Sequence, residues 1–159
     1  MKSAASANLL SGLAADPSIF AHQYNPVQDR ALLIRIEPGR RAGASFLDER
    51  ILTPQTQGAW FAFEAAEKAA ENLKTKPQGY IFHAGHCGST LVSRLIAETT
   101  ESVAVREPLP LRAFAADKAE SAAALLSKAD ARRRLDLFER LWARENRPSP
   151  SRRRACVRI

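Results

Sequence analysis

The fold is decided by residues 80–94, which read Tyr80-Ile81-Phe82-His83-Ala84-Gly85-His86-Cys87-Gly88-Ser89-Thr90-Leu91-Val92-Ser93-Arg94. Residues 80–83 are typical of a short buried strand, residues 84–90 of a glycine-bearing turn, and the rest of a helix with an apolar stripe. A second short strand, Val103-Ala104-Val105, follows. Strand, helix and strand in such close succession predict a right-handed parallel crossover. The sequence therefore predicts an α/β fold with a short parallel sheet.

The turn between the first strand and the helix has the features of an anion site. Gly85 and Gly88 allow a close approach of the backbone. The N–H groups at the start of a helix lack intrahelical partners and favour negative charge. Ser89 and Thr90 would add hydroxyl donors to a bound phosphate. The structural alternative, an ordinary tight turn with Ser89 as N-cap, stays open on spacing alone.

Two kinds of phosphate chemistry are disfavoured by what the turn lacks. Ser89 occupies the position at which a Walker loop requires Lys, so we do not expect ATP hydrolysis. The pair His86-Cys87 is similar to a cysteine phosphatase loop, but Ser93 stands where that loop needs Arg. Arg94 is one residue late, which turns its side chain by about 100° on a helix. We therefore favour the interpretation of Cys87 as a small residue tolerated in a crowded turn over its interpretation as a nucleophile.

Glu107 follows the second predicted strand and is the other candidate site residue. If the two strands are parallel and adjacent, their carboxyl ends lie about 5 Å apart at one edge of the sheet. A carboxylate would then stand close to the anion loop, either as a base or neutralised by Arg106 or Arg112. A helix cap before Pro108 is an equally good explanation of Glu107 on the sequence alone.

These segments resemble a known family. Residues 80–94 resemble the phosphosulfate-binding loop of bacterial sulfotransferase-like proteins, and Arg106-Glu107-Pro108-Leu109 resembles the segment that follows it. The spacing from Gly88 to Glu107 also matches tyrosylprotein sulfotransferases. The resemblance implies a P-loop-type three-layer fold and the donor 3'-phosphoadenosine 5'-phosphosulfate. It further implies sulfuryl transfer to a hydroxyl or an amine, the acceptor itself being unspecified by any pattern in the chain.

The same resemblance implies roles for individual residues. Gly88, Ser89 and Thr90 would hold the 5'-phosphosulfate through amides and hydroxyls, within a loop that Gly85, His86 and Cys87 complete. Glu107 would accept the proton of the acceptor. His86 falls where the family usually has Lys or Arg, so it would have to stabilise the charge on the leaving phosphate. No metal ligand is implied.

Elements are predicted on both sides of this unit. Before it we expect a helix over residues 5–15, strands over 31–36 and 60–63, and helices over about 43–52 and 64–73. After Leu109 the pattern is helical, and its last helix has an apolar face that ends before Pro148. That face consists of Leu135, Phe138, Leu141 and Trp142. The predicted regions are 1–78, an α/β region, 79–146, the phosphosulfate unit with helices, and 147–159, a basic disordered tail.

The net charge of +7 is concentrated at the end of the chain. From residue 131 onward there are ten Arg against three acidic residues, whereas the preceding residues are neutral overall. Nothing after Pro148 has the period of a helix or a strand, so we expect no packed element there. The second candidate function is accordingly a non-catalytic nucleotide- or nucleic-acid-binding protein with a basic tail. Because family members continue through further strands, we also expect a fragment, or a reading frame lost near residue 147.

Composition bounds the class of protein. The chain has 159 residues, of which 45% are hydrophobic and 26% charged, as in one globular domain. No apolar run approaches the roughly 18 residues that cross a bilayer, so we expect no membrane partner. Two cysteines make no disulfide framework, and the N-terminus resembles a secretion signal only faintly, because it has a single Lys and polar interruptions. These features predict a cytoplasmic protein.

Overall fold

A three-stranded antiparallel sheet is formed by the first half of the chain. The computed structural model describes residues 8–84, 87–100, 103–119, 125–144 and 156–158. The sheet has the order β1-β2-β3, and its strands are β1 (Ile19–Asn25), β2 (Arg30–Arg35) and β3 (Gly58–Ala62). The side chain of Asn25 accepts hydrogen bonds from the N–H groups of Val27 and Gln28 in the turn after β1. This Asx-type turn reverses the chain and sets β2 against β1.

Six helices accompany the strands. The first, α1, is described over residues 8–11. The others are α2 (Pro38–Gly43), α3 (Phe63–Ala69), α4 (Ser89–Thr99), α5 (Leu109–Ala119) and α6 (Lys128–Ala143). A single 3-10 turn, Glu49–Ile51, lies between α2 and β3. None of the helices within the described ranges combines the length and the apolar content needed to cross a membrane.

The second sheet is smaller and parallel. It has the order β4-β6-β5, with β4 (Gln78–Tyr80), β5 (Val103–Val105) and β6 (Cys156–Arg158). The central strand pairs in parallel with both neighbours, so that Tyr80 and Val105 lie at the same level on either side of Arg158. The carboxyl ends of β4 and β5 therefore share one edge of the sheet.

The hydrophobic core belongs mainly to the antiparallel sheet. Most of its members come from α1, β1, β2, α3 and α6, and β5 adds Val105. The aromatic ring of Phe138 on α6 is fully buried and lies 5.9 Å from the ring of Tyr24 and 5.7 Å from that of Trp142. The Trp142 indole N–H donates to the Ala21 carbonyl at 3.0 Å, which fixes α6 on β1. Residues before and after position 79, the predicted start of the second region, thus belong to one core.

The predicted fold class is confirmed at the level of α/β, whereas its finer description is not. The larger sheet is antiparallel, and the described residues do not form a P-loop three-layer fold around a parallel sheet. The strands before and after α4 are parallel, as predicted, but β6 lies between them. The first strand, predicted as a buried one over residues 80–83, ends at Tyr80 instead, and Tyr80 and Phe82 are exposed. Residues 156–158 form that strand, which corrects the expectation of no packed element after Pro148. The other residues of the predicted tail, 147–155 and 159, lie outside the described residues.

The sequence prediction also failed at β1 and at residues 43–52. In β1 the pairing register shifts between Ala21 and Gln23, so His22 forms a β-bulge. A bulge interrupts the alternation of apolar and polar residues by which a strand is recognised. Residues 43–52 were expected to be helical, but α2 ends at Gly43. Asp48 caps the 3-10 turn instead, by accepting from the Arg50 N–H at 3.0 Å.

Candidate functional site

The turn before α4 has the backbone geometry of an anion site. Gly88 is the N-cap of α4 and has φ 82° and ψ 14°, in the left-handed region. A Cβ at this position would meet no atom within 4 Å, so the dihedral angles rather than crowding favour glycine. The first backbone bonds of the helix run from the N–H groups of Leu91 and Val92 to the Gly88 carbonyl, at 2.9 and 3.1 Å. The N–H groups of Ser89 and Thr90 come before these first intrahelical donors.

The other predicted loop residues are placed as follows. Cys87 and Gly88 are exposed, and Ser89 and Thr90 are half-buried at the first turn of α4. No side chain in the described part of the chain caps this helix. Since Gly88 rather than Ser89 is the N-cap, the alternative of a serine-capped turn is wrong. Gly85 and His86 lie outside the described residues.

A buried hydrogen bond connects α4 to the segment after β5. Arg106 is 4% exposed, and its Nε donates to the Ser93 hydroxyl at 2.8 Å. The same hydroxyl donates to the Thr90 carbonyl at 2.8 Å, within the first turn of α4. The two bonds use the hydroxyl once as acceptor and once as donor, as its chemistry requires. The N-terminal turn of α4 is thereby held beside the end of β5.

Arg106 also fixes the segment that follows α2. Its Nη1 donates to the carbonyls of Ala42 and Ala44 at 3.0 and 2.5 Å, and its own carbonyl accepts from the Leu47 N–H at 3.0 Å. Burial lowers the pKa of the Arg106 guanidinium, and the positive charge of Arg94 lowers it further. The sequence offered Arg106 as one of two cations to neutralise Glu107. Arg106 has a structural role instead, because its guanidinium is bonded to backbone carbonyls in and after α2.

Glu107 stands next to this bonded arginine and has a strained backbone. Its φ is 44°, a conformation that few non-glycine residues adopt. Its carboxylate forms an ion pair with Arg112 at 2.8 Å, which is the neutralisation that the sequence suggested as one alternative. The expected 5 Å separation of the strand ends is wrong, because β6 doubles the spacing of β4 and β5 to about 10 Å. Strain of this kind occurs often at functional sites.

Sequence reasoning missed the bond between Ser93 and Arg106. It treated Ser93 only as the residue that replaces a phosphatase arginine. The available signal was a small polar residue on the helix face opposite to Leu91 and Leu95. Among the described residues, no group of three or more His, Cys, Asp or Glu side chains is arranged to hold a metal ion.

The apolar stripe of α4 faces solvent rather than the sheet. Leu91 and Leu95 are 62% and 54% exposed, whereas Ser93 on the opposite side of the helix is fully buried. Phe82, between β4 and the turn, is 90% exposed, and its ring stacks on that of Tyr80 at 5.9 Å. The predicted apolar stripe therefore lies on the surface beside the turn.

Comparisons of the chain with protein-family models, with curated proteins and with solved structures found no match.

Proposed function

We propose that the chain is a sulfotransferase-like protein that binds 3'-phosphoadenosine 5'-phosphosulfate at the turn before α4. In this proposal Gly88, Ser89 and Thr90 hold the 5'-phosphosulfate, and Gly85, His86 and Cys87 complete the loop. The acceptor is a hydroxyl or an amine. A cytoplasmic location remains the expectation from the cysteine content.

The observation that carries the proposal is the left-handed Gly88 at the start of α4. It leaves the N–H groups of Ser89 and Thr90 outside the backbone bonds of the helix, at the positive end of its dipole. Two hydroxyl groups, on Ser89 and Thr90, stand at the same turn and are half-buried. Amides and hydroxyls together are the donors that phosphate oxygens accept from at helix N-termini.

Glu107 is the proposed base. The acceptor oxygen attacks sulfur, its proton passes to the Glu107 carboxylate, and the bond between sulfur and the phosphate oxygen breaks. Adenosine 3',5'-bisphosphate leaves with the electron pair of that bond. Support comes from the chain of contacts Thr90–Ser93–Arg106, which holds the residue before Glu107 against the first turn of α4. Arg112 orients the carboxylate through its 2.8 Å ion pair. His86 is proposed to stabilise the leaving phosphate.

The nucleic-acid alternative has less support from the described residues. The arginine run on α6 is largely paired, since Arg133 bonds the Glu67 carboxylate and Arg134 bonds Asp29 at 2.7 Å. Those cations are therefore unavailable to a phosphate backbone without loss of an ion pair. The remaining excess charge is that of the tail arginines. A variant with Gln at positions 152, 153 and 154 should keep nucleotide binding and lose any salt-sensitive binding of DNA.

The phosphatase alternative is disfavoured by the position of Arg94. Its guanidinium contacts the Ser45 hydroxyl at 3.4 Å, in the segment after α2. A cysteine phosphatase needs an arginine that clamps the phosphate beside the nucleophilic thiolate, and Ser93, in that position, is buried and bonded to Arg106. Cys87→Ser should abolish phosphate-ester hydrolysis if this alternative holds.

Calorimetric titration with adenosine 3',5'-bisphosphate tests the proposal. Ser89→Ala should weaken binding about fivefold, because one hydrogen bond contributes about 1 kcal/mol. Glu107→Ala should change the Kd less than about twofold, since a base for the acceptor adds little to the binding of the donor product.

Thr99→Ala is the matched control for this titration, because it removes a hydroxyl from the exposed C-terminal end of the same helix. It should bind as the unsubstituted chain does. Equal losses in Ser89→Ala and Glu107→Ala, or an intact chain that does not bind the bisphosphate, would contradict the proposed roles.

A further inference from the structure

Two arginines from different elements meet at residues 44–45. The Arg106 guanidinium donates to the Ala44 carbonyl at 2.5 Å, and the Arg94 guanidinium contacts the hydroxyl of the next residue, Ser45, at 3.4 Å. Arg94 also follows Ser93, to which Arg106 is bonded. The two positive groups are close enough for Arg94 to lower the pKa of Arg106. They form a pair of like charges.

This pair lacks the acidic partner that six other arginines of the described residues have. Arg35, Arg50, Arg112, Arg132, Arg133 and Arg134 each form an ion pair with a carboxylate. Within the described ranges, neither Arg94 nor Arg106 forms one, and Glu98, one turn beyond Arg94, does not pair with it. Burial and, likewise, the positive charge of Arg41 lower the pKa of Arg144, but there the carboxylate of Asp16 raises that pKa in part. Bringing two cations together without an anion has a free-energy cost.

We infer that Arg94, Arg106 and Ser45 form a binding site for a tetrahedral oxyanion of the phosphate or sulfate class. A guanidinium offers up to five N–H donors in a planar fork that matches such oxygens. Arg106 uses Nε and Nη1, and its Nη2 has no hydrogen-bond partner among the described residues. Arg94 is exposed and its contact with Ser45 is long, so its fork is open to a ligand.

The site is separate from the turn at Gly88. Arg94 lies five residues after Ser89, which is about 7.5 Å along the helix axis. Its donors are side chains, whereas those of the turn are mostly backbone amides. The inference does not depend on the proposed function, because the like-charge pair attracts an oxyanion whether or not a nucleotide binds at Gly88. The oxyanion is either free in solution or carried by a nucleotide.

Chemical-shift titration with sodium sulfate tests the site, with ionic strength held constant by chloride. Saturable shifts are expected at the amides of Ser45 and Arg94. Arg94→Gln should weaken sulfate binding about tenfold, as expected for the loss of one charged hydrogen bond. Arg132→Gln is the matched control, because it removes another exposed arginine charge, from α6, and should leave the Kd unchanged.

A second arm uses adenosine 3',5'-bisphosphate. If Arg94→Gln weakens the bisphosphate as well as sulfate, the site also accepts a nucleotide-borne phosphate, and if it weakens sulfate alone, the site takes the free ion. Ser89→Ala should leave sulfate binding intact. A loss of binding at the Gly88 turn is thereby distinguished from a loss of binding at the arginine site. Equal sulfate affinity in Arg94→Gln and Arg132→Gln, or shifts confined to residues 87–90, would overturn the inference. Arg94 is on the surface, so its variant should stay folded.

Discussion

The two sheets of this protein differ in what they bury. The antiparallel sheet has strands of five to seven residues, and α6 covers it with a buried aromatic face. The parallel sheet has strands of three residues, and its helix α4 turns its apolar stripe to solvent. Burial of apolar surface stabilises a fold roughly in proportion to area. The comparison therefore places most of the stability in the first region and the candidate chemistry in the second.

A division of this kind has a physical basis. Residues that bind a ligand must keep donors and charges accessible, and such residues add little to a core. Here the amides of Ser89 and Thr90, which precede the first backbone bonds of the helix, the strained Glu107 and the arginine pair all lie around α4. The tie that Arg106 makes between the regions is polar, because its guanidinium bonds Ser93 on one side and the Ala44 carbonyl, after α2, on the other.

The largest expected effect is that of Phe138→Ala. The Phe138 ring is fully buried and contacts the rings of Tyr24, Phe114 and Trp142. Truncation leaves a cavity in the middle of the aromatic cluster and should lower the free energy of unfolding by about 3–5 kcal/mol. Urea denaturation followed by tryptophan fluorescence measures this change.

The matched substitution in the other region is Leu95→Ser. Leu95 lies on the exposed stripe of α4, so its removal should change the free energy of unfolding by less than about 0.5 kcal/mol. A loss close to that of Phe138→Ala would mean that the stripe is buried in the protein in solution. That result would contradict the difference in stability between the two sheets.

His22 is expected to make the stability of the antiparallel region depend on pH. It is fully buried in the bulge of β1, and neither ring nitrogen has a hydrogen-bond partner in the described part of the chain. Burial lowers its pKa from 6.5, and the nearby carboxylates of Glu49 and Asp48 raise it by less. Protonation therefore favours the unfolded chain. Its contribution is complete above pH 6.5 and is lost as the pH falls towards the lowered pKa.

The size of the His22 effect is bounded by linkage. One proton changes the free energy of unfolding by at most about 1.4 kcal/mol per pH unit, so the loss between pH 6.5 and 5 is at most about 2 kcal/mol. Urea titrations at several pH values should show a shallower decline in His22→Leu. His83→Gln, at an exposed position, is the control and should decline as the unsubstituted chain does. Identical slopes in all three proteins would refute this role of His22.

Local patterns predicted the elements that are regular in sequence. The strands at 31–36, 60–63 and 103–105 correspond to β2, β3 and β5, and the last helix has Phe138, Leu141 and Trp142 on its buried face as expected. Proline and glycine residues mark the ends of these segments, and apolar residues recur within them at a clear period. The glycine turn before α4 was recognised for the same reason.

What failed depends on contacts between distant residues. The bulge at His22 hides β1, and nothing in residues 150–159 indicates a strand that inserts between β4 and β5. Three-residue strands have too little sequence to show a period, so their partners cannot be predicted from pattern. The pairing of Arg106 with Ser93 is likewise a property of the folded chain. The apolar stripe of α4 was predicted correctly, but the sequence does not show whether it faces the sheet or the solvent.

The most direct test of the account is a titration of the backbone amides with adenosine 3',5'-bisphosphate, followed by chemical shifts. Saturable shifts are expected at Ser89 and Thr90 in the intact chain and in Gly79→Ala, where a Cβ meets no atom within 4 Å and no unusual φ is required. In Gly88→Ala the left-handed cap is disfavoured and the shifts should disappear. Equal binding in both glycine variants, or an intact chain whose Ser89 and Thr90 amides do not respond, would contradict it.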